Sequence, residues 1–197
     1  MIGRLAAGAC ALALVAVAGG PAQAAGEDAV LGSPDAPVTM IEYASLTCPH
    51  CAAFHNETLP ELKERYIDTG QVKLVLRDFP LDRVALQASA IAHCAGPVRY
   101  AGFVDVMFRT QASWARAEDP VAALTDLARQ GGLSADAVQA CLADEALLDR
   151  IVATRLEAQE QYDIRQTPSF VIDGEVYAGD RGVDGFVEII EPLLPKG

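Results

Sequence analysis

The chain of 197 residues carries 15 basic against 27 acidic side chains, a formal net charge of −12 at neutral pH, and 51% of it is hydrophobic. That acidity argues against nucleic acid or an anionic membrane surface as partner. The length suits one domain, or one domain with an insertion, with enough chain to bury a sizeable core.

The first 24 residues read as a secretory signal peptide. Arg4 precedes an apolar run over 5–18, and Gly19-Gly20-Pro21-Ala22-Gln23-Ala24 ends in an Ala-x-Ala cleavage site. The apolar core is too short to span a bilayer comfortably, and no later segment reads as a membrane span. Of the five cysteines, Cys10 is expected to leave with the signal. Four then remain in an exported, disulfide-permissive protein, and they sort into Cys48/Cys51 and Cys94/Cys141.

Residues 26–37 read as a loop leading into the first strand, with no room for a separate N-terminal domain. The run 38–44 is nearly all apolar, as a strand covered on both faces should be, which makes Glu42 conspicuous. Its carboxylate either reaches water at the strand edge or is buried and functional. Directly after comes Cys48-Pro49-His50-Cys51. A helix starting at Cys48 would aim its unpaired N–H groups and positive dipole end at the first sulfur, favouring the thiolate and making Cys48 a nucleophile. Cys51 follows one turn later, within reach of a mixed disulfide on Cys48, and Pro49 fits the first helical position. His50, as a cation or a hydrogen-bond donor, would stabilise the thiolate further. Two other readings of the motif are an inert disulfide and half of a zinc site. Zinc needs further ligands, and no second Cys-x-x-Cys or His-x-x-x-His supplies them, so no metal is expected. His55 is expected on the solvated side of the helix.

That helix continues through Phe54, Leu59, Leu62 and Tyr66, with Pro60 as a kink and Asp68-Thr69-Gly70 as its stop, and 71–79 is the next strand. Strand, helix, strand at this spacing is a right-handed βαβ unit with parallel strands. Residues 81–162 change character to Ala-rich and helix-periodic, with helices expected near 82–95, 98–111, 119–130, 134–142 and 144–162. Asp119 and Ser134 are expected N-caps. His93 reads as a packed or surface helix residue. Cys94 and Cys141 sit in apolar helical surroundings and are expected to form a structural disulfide, the alternative being two separately buried thiols. From Gln166, two short runs flank Asp173-Gly174, a hairpin signal, and 182–194 is helical.

The order βαβ, helical insertion, ββα, with Cys-Pro-His-Cys opening the first long helix and Thr167-Pro168 entering the hairpin, resembles the DsbA-like branch of the thioredoxin superfamily. The resemblance implies an α/β thioredoxin fold made of 25–80 and 163–197, interrupted by an all-helical subdomain over 81–162. It implies Cys48 as nucleophile and Cys51 as resolving thiol, with no cofactor. Pro168 would be cis and packed against the disulfide, and Thr167 would pair its backbone with substrate. Glu42 stands where the family carries an acid near the buried sulfur. The implied activity is a periplasmic oxidase, monomeric, that passes its disulfide to folding secreted proteins and is recharged by a quinone-linked inner-membrane partner of the DsbB type. Thr167 stands where the enteric type usually has Val, as disulfide isomerases often do, so an isomerase or client-specific reductase is the first alternative. A thioredoxin-fold peptide chaperone or metal-binding module is the second.

Overall fold

The structure is a computed structural model that describes residues 29–195. The expected signal peptide lies outside them. Among the described residues five strands form one mixed sheet: β1 (Ala29–Leu31), β2 (Val38–Ala44), β3 (Val72–Asp78), β4 (Ser169–Ile172) and β5 (Glu175–Ala178), in the order β1-β3-β2-β4-β5. Only β2 and β3 run parallel, joined by the helical stretch after the cysteine motif; the other pairs are antiparallel. In β2 every residue is buried or half-buried, consistent with its central position and nearly continuous apolar sequence. The turn between β4 and β5 places Asp173 (φ 50°) and Gly174 (φ 85°) in the left-handed region, as a two-residue hairpin loop of the primed type requires.

Residues 26–37 are not loop throughout, because Ala29–Leu31 adds an edge strand to β3, with Ala29 opposite Leu76. Three residues are too few to show a strand period. The stronger constraint is Gly32, at φ +98°, where a Cβ would lie 2.7 Å from the Val72 carbonyl oxygen.

The stretch after the motif is α1 (Pro49–Ala53) and α2 (Leu59–Leu62), with π-helical turns at Phe54–Thr58 and Lys63–Ile67. Pro60 has no N–H to offer the carbonyl four residues back, and the Leu59 N–H bonds Phe54 instead, five residues back. The helical block contains α3 (Arg83–Cys94), α4 (Pro97–Arg109), α5 (Gln111–Trp114), α6 (Pro120–Gln130), α7 (Ala135–Leu142) and α8 (Glu145–Tyr162). Asp82, Asp119, Ser134 and Asp144 cap α3, α6, α7 and α8, each accepting from the backbone N–H three residues on. The last helix is α9 (Gly182–Ile190).

One hydrophobic cluster joins Met40, Leu74, Phe54 and Phe170 of the sheet unit to Tyr100, Met107, Phe108 and Trp114 of the helical block. A smaller one, with Tyr43, Phe79 and Val171, packs under Ala158 of α8. The block is therefore docked on the sheet through shared core. Polar ties add to this at Asp78, the last residue of β3, which bonds Ser89 (2.5 Å), His93 (2.7 Å) and Tyr100 (3.1 Å). Cys94, ending α3, is disulfide-bonded to Cys141 of α7, with the Cα atoms 6.2 Å apart.

Candidate active site

The site forms where β2 ends. A short loop hands the chain to α1 with Cys48 as its N-cap, in extended backbone conformation, and Pro49 as the first helical residue. Gln111, at the start of α5, holds that loop from the side: its Nε2 donates to the carbonyls of Leu46 (2.8 Å) and Cys48 (2.9 Å). The Thr47 hydroxyl donates to Asp82 (2.7 Å), the residue that also caps α3. Both ties come from the helical block, so the block fixes the motif's approach to the sheet.

Cys48 and Cys51 are free thiols in this structure; Cys48 is 6% exposed and Cys51 fully buried. The two have opposite acidities. The Cys48 thiol is pulled from the usual 9.0 down to about 5, chiefly because the Cys51 thiol donates to its sulfur. Burial opposes this, and Thr167 and the backbone N–H groups of Cys51 and His50 reinforce it. Burial pushes the Cys51 thiol far up, helped by its hydrogen bond to Cys48 and by the negative charge of Glu42. A thiolate on the first sulfur and a proton on the second is thus the stable reduced state. The imidazole of His50 is exposed, and that residue's contribution to the lowered Cys48 pKa, the smallest of the causes, comes from its backbone N–H.

Across from the motif the Thr167–Pro168 peptide bond is cis and Pro168 is buried. As a thiol, Cys48 donates to the Thr167 carbonyl oxygen at 3.4 Å, and the buried Thr167 hydroxyl has no hydrogen-bond partner. Once Cys48 is a thiolate that hydroxyl can donate to it, which is the sense of its contribution to the lowered pKa.

Glu42 lies in the middle of β2, between Leu76 and Phe170 of the flanking strands, and is fully buried. Of the two positions open to it, strand edge or interior, the structure gives the interior. Its Oε2 is 2.9 Å from Nε2 of His55, while Oε1 has no hydrogen-bond partner. His55 is therefore not on the solvated side of the helix: it is 6% exposed and faces the sheet. The physical reason is helical spacing. Cys51, His55, Thr58 and Leu62 are all buried and recur at intervals of four, three and four, so the face that hides the second cysteine also hides His55. Counting from Cys51 would have found it. Gln111 left no such signal. Among the described residues no group of three or more His, Cys, Asp or Glu could hold a metal ion.

A dithiol at the start of a helix, one sulfur acidic and the other shielded, facing a cis-proline across the end of a central strand, defines a thiol–disulfide oxidoreductase of thioredoxin fold. Comparison with known proteins narrows the class. The thioredoxin family profile matches residues 24–192. The crystal structure of alpha-DsbA1 from Wolbachia pipientis is 34% identical, with a TM-score of 0.78, covering 85% of this chain and 90% of that one. A Rickettsia bellii protein named for protein-disulfide oxidoreductase activity is 34% identical over 148 residues, and the match covers 75% of this chain and 57% of that longer protein. Disulfide bond formation protein D of Bacillus subtilis is 27% identical over 173 residues, covering 84% of this chain and 76% of that protein. The chain belongs to the DsbA-like branch of the thioredoxin family.

Proposed function

We propose that the chain works in the periplasm, after cleavage of the signal peptide behind Ala24, as a monomeric oxidase of folding secreted proteins. A client thiolate attacks the Cys48 sulfur, the Cys48–Cys51 bond breaks, and its electron pair leaves on Cys51, which takes a proton. The client's second thiolate then attacks the client sulfur of the mixed disulfide, and Cys48 leaves as a thiolate. Two electrons have passed from client to protein, and a quinone-linked inner-membrane protein of the DsbB type would remove them.

The observation that carries this direction is the acidity of Cys48, held near 5. A thiolate stabilised only in the reduced state makes the disulfide the better oxidant, and a low-pKa sulfur leaves faster from the mixed disulfide. Thr167 fits the backbone partner of a client peptide and Pro168 the wall beside the disulfide. Glu42 exchanges a proton with Cys51 in this reading, which the effect of its charge on that thiol supports. The Cys94–Cys141 bridge, remote from the motif in sequence, is a structural tie between α3 and α7. Residues 81–162 act as an inserted helical subdomain that carries Gln111 and Asp82 to the site.

Equilibration of the Cys48–Cys51 pair against glutathione buffers, with thiols trapped by acid and counted by mass, tests the direction. We expect a pair that stays reduced where thioredoxin, at about −270 mV, is fully oxidised, together with disulfide formation in a reduced unfolded client. A potential at or below thioredoxin's would overturn the oxidase and make the protein a reductase. Rearrangement of scrambled disulfides without net oxidation would instead select the isomerase.

A further inference from the structure

In a chain with a formal net charge of −12, a cation has many carboxylates to pair with. Among the described residues Arg65, Arg109, Arg129 and Arg165 each meet an acid, and Arg99 and Arg155 donate to backbone carbonyls. Arg83, Arg116 and Arg150 are exposed and have no hydrogen bond, ion pair or ring contact among those residues. Two of these three stand beside the cysteine motif. Arg116 lines a cleft of about 240 Å³ together with Thr47, Pro49 and Asp82. Arg83 follows Asp82 in the chain and lines a second cleft that shares Asp82 with the first. The other polar groups of the first cleft are already engaged. Thr47 donates to one Asp82 oxygen and the Ala85 N–H to the other, while Gln111 donates to the carbonyls of Leu46 and Cys48. Glu118 and Asp119, close behind Arg116 in sequence, do not pair with it, and Asp119 caps α6 instead. The two guanidinium groups are not among the causes of Cys48's acidity either, which are its hydrogen bonds. Their donors are unspent, on a surface that includes Pro49, the neighbour of Cys48.

We propose that Arg116, seconded by Arg83, is a specificity-determining residue that selects clients with acidic side chains beside the reacting cysteine. The client sulfur meets Cys48 while a neighbouring carboxylate of the client enters the cleft and takes the Arg116 donors. This rests on the oxidase reading and deepens it by naming the class of client. The cleft, smaller than the roughly 300–1,000 Å³ of pockets built for free small molecules, suits one side chain of a longer peptide. Charge gives the contact its use. A protein of net charge −12 repels acidic chains at long range, and two unpaired cations next to the motif reverse that repulsion where the sulfurs must meet. Arg116 makes the contact because its cleft contains Pro49, whereas Arg83, in the adjoining cleft, adds attraction from further off.

The test uses three dithiol peptides with the same spacing between their cysteines, in which the residues flanking each cysteine are Glu, Gln or Lys. Oxidation of each by the protein in its disulfide form is stopped with acid and counted by mass, and the readout is the rate for the Glu peptide divided by that for the Lys peptide. Flanking charges alter the acidity of the peptide thiols themselves, but that effect cancels when the ratio is compared between protein variants. Arg116→Glu should lower the ratio about fivefold, because an exposed ion pair with one peptide is lost and one with the other is gained. Arg116→Gln should lower it about twofold and Arg83→Glu less than Arg116→Glu does. Salt should bring the wild-type ratio toward that of Arg116→Gln. Arg150→Glu makes the same change of net charge at an arginine that lines neither cleft, and should leave the ratio at the wild-type value. A ratio unmoved by Arg116→Glu, or moved equally by Arg150→Glu, would overturn the inference while the oxidase reading stands. Wild-type protein that oxidises none of the three peptides would defeat the oxidase reading and this inference with it.

Discussion

Replacing Cys51 with Ala removes the largest single cause of Cys48's acidity, the hydrogen bond from the Cys51 thiol to the neighbouring sulfur. A hydrogen bond to a charged acceptor contributes about 1.5–3 kcal/mol, and one pKa unit corresponds to about 1.4 kcal/mol. The Cys48 pKa should therefore rise by about one to two units, from about 5 to about 6–7. It should stop short of the free-thiol range because the N–H groups of His50 and Cys51 and the Thr167 hydroxyl remain in place. At pH 7 the protonated fraction would grow from roughly 1% to roughly 10–50%, so the change is large in any thiolate assay. With Cys94 and Cys141 bonded to each other, Cys48 is the sole free thiol of this variant among the described residues, and in protein lacking residues 1–24 the rate of alkylation by iodoacetamide against pH reports it alone. A midpoint that stays near 5 would show that the helix end and Thr167 hold the thiolate unaided. A midpoint near 9 would show that they contribute nothing, and either result refutes a thiolate held chiefly by the Cys51 thiol and secondarily by the helix end and Thr167.

Further outcomes follow from the same geometry. The depressed Cys48 pKa stabilises the reduced, folded protein, an effect fully present above the unfolded thiol's value near 9.0 and lost as pH falls through about 5. The stability of the reduced form to heat should accordingly fall as pH drops through that window relative to Cys48→Ser, by at most about 1.4 kcal/mol per pH unit, and a pH-independent difference between the two would contradict it. Cys94→Ala/Cys141→Ala opens a bridge between residues 47 apart in sequence, for which the chain-entropy model gives about 4 kcal/mol. Denaturant unfolding should show a loss of that order while Cys48 keeps its acidity, and an unchanged midpoint would mean that the bridge ties nothing. Gln111→Ala deletes two buried hydrogen bonds, leaving the Leu46 carbonyl unsatisfied at about 1–3 kcal/mol while the Cys48 carbonyl keeps the Ala52 N–H. Lower stability should come with faster amide exchange in residues 46–48, and exchange as slow as in the wild type would remove Gln111 from the support of the motif.

What could be read in the sequence was what the chain specifies over short distances. The capped starts of α6 and α7 at Asp119 and Ser134, the Asp173-Gly174 turn, the nearly continuous apolar run of β2 and the helix start at the two cysteines each depend on a few adjacent residues. The edge strand Ala29–Leu31 was not legible, because three residues show no period and their strand character comes from β3. Distance along the chain also separates the parts of the site that were legible from those that were not. Cys48 and Cys51 lie within one turn, but His55 meets Glu42 across 13 residues and Gln111 reaches Cys48 across 63; Thr167, which reaches it across 119, was expected at the site only through the family resemblance.

Glu42 shows why the local reading stops where it does. A carboxylate in an apolar strand has two stable solutions, water at the edge or a partner in the core, and its own neighbours do not choose between them. The choice is made when β4 pairs along one side of β2 and the helix after the motif lays its Cys51 face on the sheet, bringing His55 to the carboxylate. The same packing that hides Cys51 from water therefore brings Glu42 its only hydrogen-bonding side-chain partner among the described residues. Shielding the second thiol and giving Glu42 its partner are consequences of one helix face. A substitution that turned this face, such as a charged residue at Thr58 or Leu62, would disturb the acidity of Cys51 and the Glu42–His55 contact together.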